Sequence, residues 1–209
     1  MIFDLIMAAA GAASAPPYFV GSAFSYSTGP NSIVVTKPST VLSGDLLVAV
    51  CQSSSSVSWS GDTGWTELVD LGSTPSLRVA YKVATSSEPS SYTFSQSTSS
   101  GANVHLIVIR GGSIGVAGSF AVNQNPLPAP SIAVPKDNSL LLACFAVYSG
   151  NVMLTTPSGM SRIAYDNNQY SPSSAVFSQV VQSGESGSRS SNVSQTSGCA
   201  GVLLSISPL

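Results

Sequence analysis

The sequence predicts an all-β protein, a jelly-roll-like β-sandwich built from two pseudo-repeated halves. Three observations carry this reading. Short apolar or alternating runs are divided by Gly, Pro, Asn and Ser. No window beyond the first residues keeps a helical period over a dozen positions. The body also matches itself in order at an offset of roughly 94 to 99 residues.

Strands are expected at 18–26, 32–36, 45–51, 56–60, 65–71, 77–84, 91–95 and 102–110 in the first half. The second half is expected to carry them at 131–134, 139–148, 161–165, 173–182 and 199–206. The segment 104–110 (VHLIVIR) is apolar on both faces, which places it inside a sheet covered on both sides. The internal match pairs Ser32-Ile33-Val34-Val35 with Ser131-Ile132-Ala133-Val134, and Gly44-Asp45-Leu46-Leu47 with Asn138-Ser139-Leu140-Leu141. It continues with Thr63-Gly64-Trp65 on Ser158-Gly159-Met160, Val79-Ala80-Tyr81 on Ala175-Val176-Phe177, and His105-Leu106-Ile107 on Gly201-Val202-Leu203. The pseudo-repeats therefore span about 30–110 and 130–207 within a body of 18–209. The Gly- and Pro-rich stretch 111–130 reads as their connection, with Arg110-Gly111-Gly112 and Gly115 to Gly118 as turns. One pseudo-symmetric sandwich of two sheets is expected, and two small sandwiches side by side are the alternative.

Residues 1–17 form a separate N-terminal arm. Ala13-Ser14-Ala15 has the small-residue form of a signal cleavage site, but no Lys or Arg precedes the apolar stretch and Asp4 interrupts it. Fifteen or so residues are too few to span a bilayer, which takes about 20. The apolar side chains Ile2, Phe3, Leu5, Ile6 and Met7 fall on every face of the segment, so they must bury themselves on protein. Folding back on the arm's own domain is one solution. Docking on a neighbouring subunit, or on a different component of a larger assembly, is the one expected here. Pro16 and Pro17 then separate the arm from the body.

Composition narrows the function. Charged residues make up 8% of the 209, against roughly 25% in an ordinary soluble domain, while 43% are hydrophobic and the mean hydropathy is +0.30. Serine, about one residue in five, must supply the polar surface through its hydroxyls. A net charge of −2 with scattered Lys and Arg leaves no basic footprint for a phosphate backbone, so nucleic acid is not an expected partner, nor is a membrane. Cys51, Cys144 and Cys199 each sit in or beside an apolar run without C-x-x-C spacing, and read as buried reduced thiols rather than disulfide or metal ligands.

Sites of chemistry are scarce. His105, the single histidine, shares a face with Ile107 and Ile109 and reads as a core residue. No G-x-S-x-G elbow accompanies it to place a nucleophile. Asp62, Glu67, Asp70 and Glu88 are too scattered to read as a glycosidase pair. No Gly-rich loop has phosphate-binding spacing and no calcium-loop pattern occurs, so no cofactor, no metal and no enzymatic activity are expected. The stretch Tyr165-Asp166-Asn167-Asn168-Gln169-Tyr170 places two aromatic rings around amides. Tyr165, Asn167, Asn168 and Tyr170 thus form a candidate carbohydrate contact, since rings cover apolar sugar faces while amides bond hydroxyls. Trp59 and Trp65 are expected to close an end of the core.

The succession SGDLLVAV, GWTEL, VAYKVATSSEPSSYTFS, an apolar strand ending IRGG, and a PSGM turn resembles β-sandwich structural and tail-associated proteins of tailed bacteriophages. The start MIFDLIMAAAGA resembles the attachment arms of small phage virion proteins. The resemblance implies a virion component exposed on the particle surface, at the tail fibre or tail tip or decorating the capsid. It would be folded in the bacterial cytoplasm and assembled with copies of itself and other virion proteins. A host-glycan or receptor-binding adhesion module is the alternative.

Overall fold

The computed structural model describes residues 14–122, 124–169, 172–194 and 198–209, and among these the chain is all-β with no helix. The first half contains β1 (Tyr18–Ser27), β2 (Ser32–Thr36), β3 (Leu46–Ser53), β4 (Trp59–Gly61), β5 (Thr66–Leu71), β6 (Ser76–Val83), β7 (Ser91–Gln96) and β8 (Ala102–Arg110). The second contains β9 (Gly112–Val122), β10 (Leu127–Ala129), β11 (Ala133–Val134), β12 (Ser139–Val147), β13 (Ser161–Asp166), β14 (Ser173–Val181), β15 (Gly184–Glu185), β16 (Arg189–Ser191) and β17 (Cys199–Pro208).

Each half is an antiparallel ribbon rolled on itself. In the first, β1 pairs β8, β2 pairs β7 and β3 pairs β6. In the second, β9 pairs β17, β10 pairs β16, β11 pairs β15 and β12 pairs β14. Such nested pairing is the winding of a jelly roll. It yields one five-stranded sheet per half, ordered β1-β8-β3-β6-β5 and β9-β17-β12-β14-β13. The two sheets stack face to face, with β1 against β13 and β5 against β9.

The sandwich is therefore layered more deeply than the two sheets expected. Between the large sheets lies an inner core of Leu46, Val48, Val50, Val79, Ile107 and Ile109 against Leu140, Leu142, Cys144, Val176, Val202 and Leu204. Alternate residues of the same strands point outward. Leu47, Ala49, Leu106 and Val108 meet Ile33, Val35, Trp59, Tyr92 and Phe94 of the small β2-β7-β4 sheet. Leu141, Ala143, Phe145 and Phe177 meet Leu127, Ala129, Ile132 and Val193 on the other side. This is why LLVAVCQS, ANVHLIVIR and SLLLACFAV read as almost unbroken apolar runs: both faces of β3, β8 and β12 are covered. The three cysteines form no disulfide among the described residues and are buried, one in each core. Trp59 and Trp65 pack on the first outer core.

The expected connection at 111–130 needs correction. Residues 112–122 are β9, an edge strand of the second large sheet, and 127–129 are β10. Gly111, at φ 79°, does make the turn from β8 to β9, but the later glycines serve close approach: a side chain at Gly115 would meet the Ser205 hydroxyl, and one at Gly118 would meet Ile132. The short β15 and β16 also escaped prediction, because the Ser- and Gly-rich stretch around them lacks an alternating pattern.

The stacking gives the sandwich two distinct ends. Both sheets put β1, β3, β9 and β12 starts, and β6, β8, β14 and β17 ends, at one end, called here the lower end. The described chain enters there at Ser14, whose carbonyl accepts a hydrogen bond from Asn138 Nδ2 at 3.2 Å. It leaves there at Leu209, whose N–H donates to the Gly111 carbonyl at 3.3 Å. Two turns at this end need a left-handed residue, supplied by Gly44 at φ 90° and Asn138 at φ 58°.

Candidate functional site

The upper end of the inner core is polar. On β8, Asn103 and His105 occupy the same face as Ile107 and Ile109 but lie opposite β14 and the loop before it. Asn103 Nδ2 donates to the Pro172 carbonyl at 2.7 Å and to Asp166 Oδ2 at 3.1 Å. His105 Nε2 is 2.8 Å from Ser174 Oγ, and that hydroxyl donates to Asn103 Oδ1 at 3.4 Å. With the serine proton on Asn103, the His105 contact is made by the Nε2–H tautomer. His105 Nδ1, and the amide oxygen and the N–H donor of the buried Gln52 beside it, have no hydrogen-bond partner among the described residues.

This geometry defines what the cluster can do. His105 and Ser174 are both fully buried. Burial pushes the imidazole down to about 3 and keeps it neutral. The cluster ties the two halves together through hydrogen bonds that no apolar contact supplies. Its cover is aromatic: the Phe24 ring lies 4.9 Å from the imidazole, and Tyr26 stacks on Phe24 at 6.2 Å. Phe24 and Tyr26 are exposed on their outer sides.

The scattered acids are held in structural roles. Asp62 Oδ2 accepts the Thr93 N–H at 2.6 Å, and Glu67 accepts Arg78 Nε at 3.0 Å. Burial, and the charge of Glu67, raise the Asp70 carboxyl. Glu88 accepts Lys82 Nζ at 2.8 Å, Tyr92 Oη at 2.7 Å and the Thr85 N–H at 2.9 Å. Burial opposes its ionisation, but these donors together pull it down to about 2. Among the described residues, no group of three or more His, Cys, Asp or Glu is gathered to hold a metal ion. No helix among them is long and apolar enough to cross a membrane.

The predicted sugar-contact loop sits at the upper end, after β13. Tyr165 is half-buried against the second outer core, and Arg162 covers one ring face at 4.5 Å. Asp166 turns the opposite way, into the polar cluster. Asn167 is exposed and its carbonyl accepts the Asn151 N–H at 3.1 Å, while Asn168 is half-buried with its N–H donated to Asp166 Oδ1 at 3.0 Å. Tyr170 lies outside the described residues, so the loop's two rings are not seen together. The arm residues Ile2, Phe3, Leu5, Ile6 and Met7 also lie outside them.

Asn103 and Ser174 were not singled out from sequence. Each is an ordinary polar residue in an apolar strand, and only the stacking of two sheets brings them together. No family model, curated protein or solved structure matches the chain.

Proposed function

We propose that this chain is a non-catalytic structural component of a larger particle, anchored at its lower end and displaying its upper end. The resemblance of its strands and arm to structural proteins of tailed phages makes a virion surface the favoured setting. The observation that carries the reading is what gathers at the lower end. Segment 1–13 joins the body there, beside the exposed Tyr18, Leu42, Val83, Val180 and Leu209, while Phe24, Tyr26 and Tyr148 are exposed at the upper end. Exposed apolar side chains beside the entry of an apolar segment are what a subunit in an assembly leaves for its neighbours. The occupant of that surface is another copy of this chain, receiving residues 1–13.

Edge design supports this route over strand addition. Each edge strand of the two large sheets carries a register break: β1 between Phe19 and Gly21, β5 between Glu67 and Val69, β13 between Arg162 and Ala164, and β9 opposite Ser205. Bulged edges discourage pairing with a foreign strand. A photoreactive phenylalanine analogue at Phe3 provides the test. Cross-links to residues at the lower end of a second copy are expected, and cross-links confined to the same copy overturn the reading. For the phage setting, the polypeptide is expected in the mass spectrum of purified particles from the virus that encodes it, and its absence there removes that setting.

A further inference from the structure

We infer that a cleft on the outer face of the second half is a binding site for an acidic saccharide unit, one carboxylate carried among hydroxyls. The cleft, about 500 Å³, lies between the turn Pro157-Ser158-Gly159 and the segment Ser188-Arg189-Ser190, with Gln179 of β14 as its floor. This is within the range of about 300–1,000 Å³ usual for small-ligand sites. Its cation is Arg189. The guanidinium is fixed by Gln179 Oε1 on Nε at 3.1 Å, and by the carbonyls of Ser186, Gly187 and Ser188 on Nη1 at 2.6, 3.1 and 3.3 Å. All four acceptors are neutral. Nη2 makes no hydrogen bond to the described protein, and no described carboxylate forms an ion pair with this arginine. Glu185, the acid nearest in sequence, instead accepts the Ser131 hydroxyl at 2.9 Å.

The first half supplies an internal control. Strand registers make Lys82 of β6 the counterpart of Gln179, one position on from the sequence match of Tyr81 with Phe177, since Lys82 faces Leu47 and Gln179 faces Leu141. A glycine with positive φ lies over each, Gly64 and Gly159. In the first half the place is closed by the protein's own anion: Lys82 pairs with Glu88, whose side chain is 2% exposed, and lies over the Tyr92 ring. The second half keeps a fixed cation in the corresponding neighbourhood and provides no anion. The hydroxyls of Ser158, Ser188 and Ser190 and the amide Nε2 of Gln179 bond to no described residue, so the walls present unused donors around one positive charge. A single carboxylate answers the arginine, and hydroxyl-bearing neighbours on the same ring answer the serines and the amide. The site stands on this chemistry and does not depend on the particle reading.

The test is a chemical-shift titration of the isotope-labelled full chain at low salt with sodium glucuronate, with glucose and acetate as controls. Saturable shifts at Ser158, Gly159 and 188–190 are expected with glucuronate. None is expected with glucose, and acetate should bind at least tenfold more weakly. Gln179→Glu would install the missing carboxylate beside Arg189, as Glu88 does beside Lys82, and should weaken glucuronate at least tenfold without lowering the melting temperature. Ser158→Glu, at an exposed rim position, repeats the test without touching the floor and decides it should Gln179→Glu fail to fold. Equal binding of glucose or of acetate, undiminished binding by the folded variants, or no saturable shift at the cleft each overturns the site.

Discussion

At the scale of single residues, His105 shows how the core governs chemistry. The unfolded chain takes up a proton at the ordinary value of 6.5, while the folded chain refuses it down to about 3. Stability is therefore full above pH 6.5 and declines as pH falls through that window, by up to about 1.4 kcal/mol per unit. The paired carboxylates Glu88 and Asp45 act in the same direction, but only around and below their ordinary values of 4.5 and 3.8. Asp70, whose carboxyl is raised, acts the other way, so of these shifted groups His105 is the one whose protonation weakens the fold between pH 6.5 and 5. Denaturant melts should show the decline there, and His105→Gln, which keeps a donor toward Ser174, should flatten it. The sequence already placed this histidine on the Ile107 and Ile109 face. Its partner Ser174 was illegible, because a contact across two sheets leaves no local pattern.

At the scale of elements, the long apolar strands were legible, as were short β4 and β11, whereas β9, β10, β15 and β16 were not. β3, β8 and β12 announce themselves by unbroken apolar runs. β9 does not, since Gly112, Gly115 and Gly118 imitate turns while making room for neighbours. Ser205 completes that strand: its hydroxyl accepts the Val116 N–H at 3.0 Å across the register break. Ser205→Ala should cost about 1–2 kcal/mol by leaving that N–H unpaired. Gly201 of β17 is a stricter case, because a Cβ there would run into the Pro128 carbonyl of β10. Gly201→Ala should cost roughly 1–3 kcal/mol, whereas Gly29→Ala, with open space around it, should stay within about 0.5 kcal/mol. Thermal melts of the three variants check the ranking. The candidate loop was legible as a loop, but the direction of Tyr165 and Asp166 to opposite faces follows from the register of β13, which no composition reveals.

At the scale of the whole molecule, the two rolled ribbons share their largest core, so neither should be stable alone. A fragment of residues 14–110 would expose Leu46, Val48, Val50, Val79, Ile107 and Ile109 to water, each costing about 1.5–3 kcal/mol. It is expected to be insoluble or unfolded by circular dichroism, while the full chain melts in one cooperative transition. The same stacking gathers the strand ends, the entry of segment 1–13 and the exposed Tyr18, Leu42, Val83, Val180 and Leu209 at one end. Anchoring through that end is most directly tested by sedimentation velocity of the full chain beside a chain beginning at Ser14. The full chain is expected to sediment as an oligomer and the shortened one as a folded monomer. Two single-copy species, differing only by the mass of the missing residues, would contradict it.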